Sequence, residues 1–335
     1  MKKQNVLDVL IVGAGQSGLA SAYYIKQRKL SFLLVDAHKR IGDSWRNRYD
    51  SLNLLTPNRE NSLPGMPIDK PSSYATKNEF ADYLEKYAKQ FHFPIEQSTA
   101  IEALSLEKGM FVAKAQNKEF FAKRVVVATG AFQEPYIPPV LAQNLGGIFF
   151  CHSATYKNPK QIPKGKVLVV GAGNSGAQIA SELATTHDVV LSSRRRIVFG
   201  SRYDMFYLIA VSLLPMEQIR KIIDLFSVRK IFVPELEILL KNKKVILKSE
   251  VKTIKDNRVY FSDGTSDSFA SIIFATGFTF DFDWIFIKEA FDSNHKPISP
   301  LGASVVKGLY FVYHEKDEGF IRDLASRVRY ICAYV

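Results

Sequence analysis

The sequence predicts an α/β chain built on two parallel-sheet units. Three observations carry that prediction: a buried-type apolar strand that runs into a glycine-rich turn and a helix near the N-terminus, a second copy of the same series in mid-chain, and two apolar strands that each end in Ala-Thr-Gly. At 335 residues the chain is about twice the usual ~150 residues of one domain, so two domains are expected, with a core large enough to need no disulfide staples.

Val6 to Val12 is almost continuously apolar, the pattern of a parallel strand buried on both faces. Gly13-Ala14-Gly15-Gln16-Ser17-Gly18 follows at once, opens a helix over Leu19–Arg28, and leads to a second apolar strand, Phe32–Val35, that ends in Asp36. In a βαβ unit each glycine has its own task. Gly13 permits the tight turn, Gly15 lets backbone approach a pyrophosphate, and Gly18 lets helix and strand pack closely. The helix N-terminus then faces the anion, and an acid at the end of the second strand accepts hydrogen bonds from a ribose.

The same order returns at Lys166–Val170, Gly171-Ala172-Gly173-Asn174-Ser175-Gly176 and a helix from Ala177 to about Thr185. Here the second strand, Asp188–Leu191, ends in Ser192-Ser193-Arg194-Arg195-Arg196. A hydroxyl and guanidinium groups suit the 2′-phosphate of NADP, which an acid would repel; a solvated basic turn is the alternative. Two dinucleotide motifs in one chain imply two nucleotides and hydride transfer from nicotinamide to flavin, the first motif suiting the ADP half of FAD and the second NADPH.

Between the motifs, Ile101–Phe121 reads as a small antiparallel meander, with turns at Lys108-Gly109 and Gln116-Asn117. Arg124–Ala128 and Ile272–Phe274 are the apolar strands that run into Ala128-Thr129-Gly130 and Ala275-Thr276-Gly277, small residues where backbone passes close to a cofactor or turns sharply. Phe199–Val233, apolar and interleaved with Arg202, Arg220, Lys221, Arg229 and Lys230, predicts two or three amphipathic helices. They would pack on their own domain, lid an apolar substrate tunnel, or touch an anionic membrane surface.

Composition narrows the classes. With 47% hydrophobic and 23% charged residues the chain is neither disordered nor of low complexity. Two distant cysteines, Cys151 and Cys332, leave no disulfide scaffold, no C-x-x-C pair and no cysteine-rich metal site, and fit a reducing cytoplasm. No cleavage signal follows the basic N-terminus, and the apolar run Met205–Leu214 stops at Pro215, short of the ~20 residues of a membrane span. A cytoplasmic protein is therefore expected. The net charge of +12 favours anionic partners or solubility. The basic residues are scattered apart from Arg194–Arg196, which argues against nucleic-acid binding. No metal site is expected.

The glycine motifs, Arg40-Ile41-Gly42-Asp43-Ser44-Trp45, Arg48-Tyr49-Asp50-Ser51-Leu52, Leu55-Thr56-Pro57, Leu63-Pro64-Gly65, the two Ala-Thr-Gly segments and His152-Ser153-x-x-Tyr156 together resemble the flavin-containing monooxygenases, in particular short bacterial class B flavoprotein monooxygenases. The resemblance covers nearly the whole chain. It implies two Rossmann-like dinucleotide-binding domains, three-layered with the meander: an FAD domain of residues 1–155 plus 274–335, and an inserted NADP domain of 156–273 with a helical insertion over about 200–240. Gly13, Gly15, Gln16, Ser17, Gly18 and Asp36 would hold the FAD diphosphate and ribose, with Thr129 beside the diphosphate and Ala100 presenting backbone to the adenine. Ser44, Trp45 and Thr56 would line the flavin end, while Gly171, Gly173, Asn174, Ser175, Gly176, Ser193, Arg194 and Arg195 would take NADPH.

The chain departs from the family pattern at three places. Ile148 stands where the identifying motif has glycine, Leu55 where larger members have asparagine, and Tyr313 and Arg322-Asp323-Leu324 replace glycines near the C-terminus. The implied activity is NADPH-dependent oxygenation of a small molecule (sulfide, amine or ketone) by O2 through a C4a-hydroperoxyflavin. That chemistry names no catalytic side chain. His152 reads as a proton-handling group or, with Tyr156, as a brace of the interdomain linker. Two other functions remain open: an FAD-dependent NAD(P)H reductase of quinone or diaphorase type, and a nucleotide-sensing accessory of ion transport. Oligomeric state is not legible.

Overall fold

The computed structural model describes residues 6–143, 145–200 and 228–312. The chain divides into two compact units. The first comprises residues 1–47, 56–134 and 279–335, the second 48–55 and 135–278.

The first unit is built on a five-stranded parallel sheet in the order Leu309–Phe311, Val125–Val127, Val9–Val12, Phe32–Val35, Ile95–Glu96. Its period-2 side chains divide between two layers. Leu10 and Val12 join Leu104, Phe111, Ala113 and Phe311 in a core shared with the meander strands Ala103–Glu107, Met110–Ala115 and Lys118–Ala122. Ile11 faces the opposite way, against Gly18 of the helix Gln16–Gln27. That helix packs in turn on Lys77–Gln90, whose N-terminus is fixed by a reciprocal Thr76–Glu79 capping box. The unit is thus three-layered, and Phe111→Ala at its centre would cost about 3–5 kcal/mol.

Val6–Val12 is not one strand. Asp8 breaks it, because its carboxylate accepts from the Ser31 N–H and hydroxyl at 3.0 and 2.8 Å and from Lys123 Nζ at 2.8 Å. Val6–Leu7 consequently pairs in parallel with the meander strand Lys118–Ala122, and only Val9–Val12 enters the main sheet.

The second unit repeats the plan. Its parallel sheet runs Phe149–His152, Ser271–Phe274, Lys166–Val170, Asp188–Ser192, Val245–Lys248, with the helix Asn174–Leu183 after the glycine turn. An antiparallel sheet of Val251–Lys255, Arg258–Phe261 and Ser266–Asp267 closes the core over Leu168, Val170, Ile272 and Phe274. Ile148, in the motif's glycine position, fills that core at 8% exposure, which accounts for a large side chain there.

The helices expected over Phe199–Val233 do not extend to the two ends of that segment. Val228–Ile231 is a strand paired in parallel with Arg196–Phe199, where the β-branched Ile197 and Val198 favour extended backbone; residues 201–227 lie outside the described residues. The next described helix is Pro234–Lys241, with proline in its first turn. Among the described residues no helix is long and apolar enough to cross a membrane, and no group of three or more His, Cys, Asp or Glu could hold a metal. Cys151 is buried, which pushes its thiol up to about 11. Cys332, Tyr313 and Arg322-Asp323-Leu324 lie outside the described residues.

Candidate dinucleotide sites

In both units the glycine turn lies beside an Ala-Thr-Gly strand end, and the two turns match closely. Gly13 and Gly171 have φ of +103° and +102°. A Cβ would stand 2.4 Å from the Ala128 carbonyl oxygen in the first and 2.5 Å from that of Ala275 in the second. The closing glycines, Gly18 and Gly176, each lie where a Cβ would come within 1.9 Å of the carbonyl of the opening glycine. Only glycine meets these four demands, for reasons internal to the fold.

Gly15 differs, since nothing lies within 4 Å of where its Cβ would be and its φ of −77° suits any residue. The fold leaves that space open. Gly15 and Gly173 are the N-caps of the two helices; neither helix has a side-chain cap or an acid in its first turn. Their first-turn N–H groups and positive dipole ends are therefore left for an anion. Both helices begin three residues before the sequence-expected starts, because the motif's last residues already have helical backbone.

The residues expected at the adenosine end of the first unit come together. Asp36 Oδ2 accepts from Ala14 N at 2.6 Å, and Oδ1 from the N–H and Nδ1 of His38 at 2.8 and 3.0 Å. Burial works against the charge, but these bonds hold the carboxyl below its ordinary value and raise His38 in turn. The Asp36 N–H donates to Glu96 and its carbonyl accepts from Thr99 N, which brings the exposed Ala100 beside it. Thr129 is exposed at the Gly13 turn, its N 3.2 Å from a Gly13 Cβ position.

Toward the expected flavin end, Trp45 Nε1 donates to Gln16 Oε1 at 3.1 Å, and its ring meets Phe80 edge-on at 4.9 Å. Ser44 is exposed on the same short helix, Asp43–Arg46, while Ser17 is buried under the glycine turn. Thr56 is tied instead to the fully buried Asn61, whose Nδ2 donates back to the Thr56 carbonyl at 2.8 Å. The roles of Asn61 and His38 were missed, since one polar residue in a loop leaves no periodic trace in sequence.

In the second unit Asn174 Oδ1 accepts from Phe232 N at 3.0 Å. Tyr49 donates to Gln178 Oε1 at 2.6 Å and Tyr156 to Glu182 Oε2 at 2.8 Å, so both buried phenols brace the helix that carries Ser175. His152 Nδ1 accepts from Ala154 N at 3.1 Å, and burial lowers its proton affinity. Ser193 donates its hydroxyl to the Arg195 carbonyl at 2.7 Å, so its proton is committed; Arg194 is exposed and Arg195 half-buried.

A family model described as pyridine nucleotide-disulphide oxidoreductase matches residues 10–312. The chain is 41% identical over 317 residues to the uncharacterized oxidoreductase CzcO-like of Geobacillus kaustophilus, covering 92% of this chain and 91% of that protein. It is 28% identical to the probable indole-3-pyruvate monooxygenase YUCCA1 of Arabidopsis thaliana, over 90% of this chain and 84% of that one. In fold it is similar to a flavin-containing monooxygenase from Stenotrophomonas maltophilia, with a TM-score of 0.84, 22% identity and 98% of both chains covered. The α/β architecture with two Rossmann-type dinucleotide-binding domains is shared with that structure.

Proposed function

The chain belongs to the pyridine nucleotide-disulphide oxidoreductase family, and from that premise we propose an NADPH-dependent, FAD-containing monooxygenase acting on a small sulfide, amine or ketone. Family membership makes it a flavin-dependent oxidoreductase that works with a nicotinamide nucleotide. The observation that carries the finer reading is the duplicated glycine cradle with unlike ends: Asp36 closes the first, Ser193-Arg194-Arg195 the second. An acid suits an unphosphorylated ribose, as in FAD, and arginines suit the 2′-phosphate of NADPH. Relatives named as monooxygenases in a bacterium and a plant support the oxygenating reading.

The residues fit such groups. Gly15 leaves open the space a diphosphate needs, and the helix N–H groups meet it. Gly13, Gln16, Ser17, Gly18, Asp36, Ala100 and Thr129 would hold the FAD diphosphate and adenosine, with Ser44, Trp45 and Thr56 toward the flavin. Gly171, Gly173, Asn174, Ser175, Gly176, Arg194 and Arg195 would hold NADPH, with Ser193 shaping the turn through its bond to the Arg195 carbonyl. When bound, the flavin supplies the redox chemistry, taking two electrons from NADPH and activating O2, so that one oxygen atom enters the substrate and the other leaves as water. The chain's own part is to bind, orient and exclude water.

The absorption spectrum of purified protein tests the cofactor pair. A yellow chain that releases FAD on denaturation and bleaches with NADPH is expected. A chain that stays colourless after incubation with FAD contradicts the reading, and one reduced by NADPH that returns only peroxide is a reductase.

A further inference from the structure

Gln133 lies in the first unit, four residues past Thr129. Two backbone groups of fixed polarity orient its side-chain amide. The Asp281 N–H can only donate, and it meets Gln133 Oε1 at 2.6 Å. The Gly130 carbonyl can only accept, and it meets Gln133 Nε2 at 2.7 Å. The remaining N–H of the amide then points at Thr129 Oγ1, 2.9 Å away. Because that hydroxyl accepts from an amide, its one proton is left to donate elsewhere.

The matching threonine of the second unit has the opposite polarity. Thr276 Oγ1 donates to the Tyr136 carbonyl, a group that can only accept, so its proton is committed within the protein. The Tyr136 N–H closes the same turn on the Gly277 carbonyl at 2.9 Å. A diphosphate carries only acceptors, so an exposed hydroxyl serves it only as a donor. We infer that Gln133 is a positioning residue that turns the Thr129 hydroxyl into a donor for the diphosphate bound at the Gly13 turn, whereas Thr276 holds only its own turn. The inference rests on the reading of the first unit as the FAD site.

FAD release from the full chain on dilution, followed by flavin fluorescence, gives Kd for each variant. A charge-assisted hydrogen bond corresponds to roughly 10- to 100-fold in affinity. Thr129→Val and Gln133→Met are each expected to weaken FAD by about that factor, and Thr129→Ser to restore wild-type affinity. The double variant should be no weaker than Thr129→Val alone, since both changes remove one interaction. Gln133→Glu keeps an acceptor for Asp281 N–H but captures the threonine proton, and should weaken FAD likewise, which guards against misfolding of the methionine variant. Thr276→Val should leave the affinity for NADPH within about twofold.

Independent, multiplying effects of Thr129→Val and Gln133→Met overturn the inference. So does a loss of NADPH affinity in Thr276→Val as large as the FAD loss in Thr129→Val. A wild type that takes up FAD while the Thr129 and Gln133 variants do so equally well overturns the inference alone. A wild type that takes up no FAD overturns the cofactor reading as well.

Discussion

The Asp36 carboxylate accepts a 2.6 Å hydrogen bond from the backbone N–H of Ala14, so the acid at the end of one strand fixes the glycine turn at the end of its neighbour. Its other oxygen takes two bonds from His38. This contact raises the imidazole above its ordinary 6.5. A raised value means that the contribution of His38 to stability is complete below pH 6.5 and is lost as pH rises through the raised value. Asp36, held below its ordinary 3.8, contributes above 3.8 and loses its share only as pH falls through the lowered value. The difference in Tm between wild type and His38→Gln should therefore be largest in mildly acidic buffer and shrink in alkaline buffer. A difference constant with pH contradicts the charged contact.

Gly13 and Gly15 separate fold from ligand. Gly13→Ala places a Cβ 2.4 Å from a carbonyl oxygen at a φ of +103°, and should cost at least about 1–3 kcal/mol of stability in denaturant titrations. Gly15→Val enters open space, so its stability should stay within about 1 kcal/mol of wild type while the protein loses its flavin colour. Full flavin occupancy in folded Gly15→Val would remove the first cradle from consideration as the FAD site.

Nicotinamide preference should follow the arginines. Because the Ser193 proton is committed to the Arg195 carbonyl, Ser193→Ala should matter little, whereas Arg194→Ala with Arg195→Ala should lower the NADPH-over-NADH ratio of kcat/KM by about 10- to 100-fold. The wild-type preference should weaken with added salt. Steady-state flavin reduction with both nucleotides measures it, and equal efficiency in wild type would mean that the basic turn only faces solvent.

Gly42 sets the position of Trp45. At φ +87° it begins the turn into Asp43–Arg46, and a Cβ there would lie 2.7–2.9 Å from Ala81. Gly42→Ala should shift Trp45 off Gln16 and change the quenching of its fluorescence by bound flavin, whereas Trp45→Phe should leave stability within about 1–2 kcal/mol. Unchanged quenching in Gly42→Ala would place Trp45 away from the flavin.

Much of this was legible because it repeats or alternates. Phe32–Val35 and Lys166–Val170 are strands with the bounds their apolar runs suggest, and both glycine turns stand at the strand ends where the motifs put them. What failed depended on single long-range contacts. Asp8 splits its strand only because Ser31 and Lys123 converge on it, and Val228–Ile231 is a strand only because Arg196–Phe199 lies alongside. Gln133 carried no signal at all, since its meaning lies in which way its amide is turned by Asp281 and Gly130.

Turnover with NADPH and 18O2 in the presence of a thioether tests oxygenation most directly, with sulfoxide and hydrogen peroxide both counted against NADPH consumed. Sulfoxide carrying one labelled oxygen is expected, with peroxide as a substantial second product, because Leu55 offers no amide where larger family members have asparagine. Peroxide that accounts for all the NADPH, with no label in a thioether, amine or ketone, would contradict a monooxygenase and leave a flavin reductase.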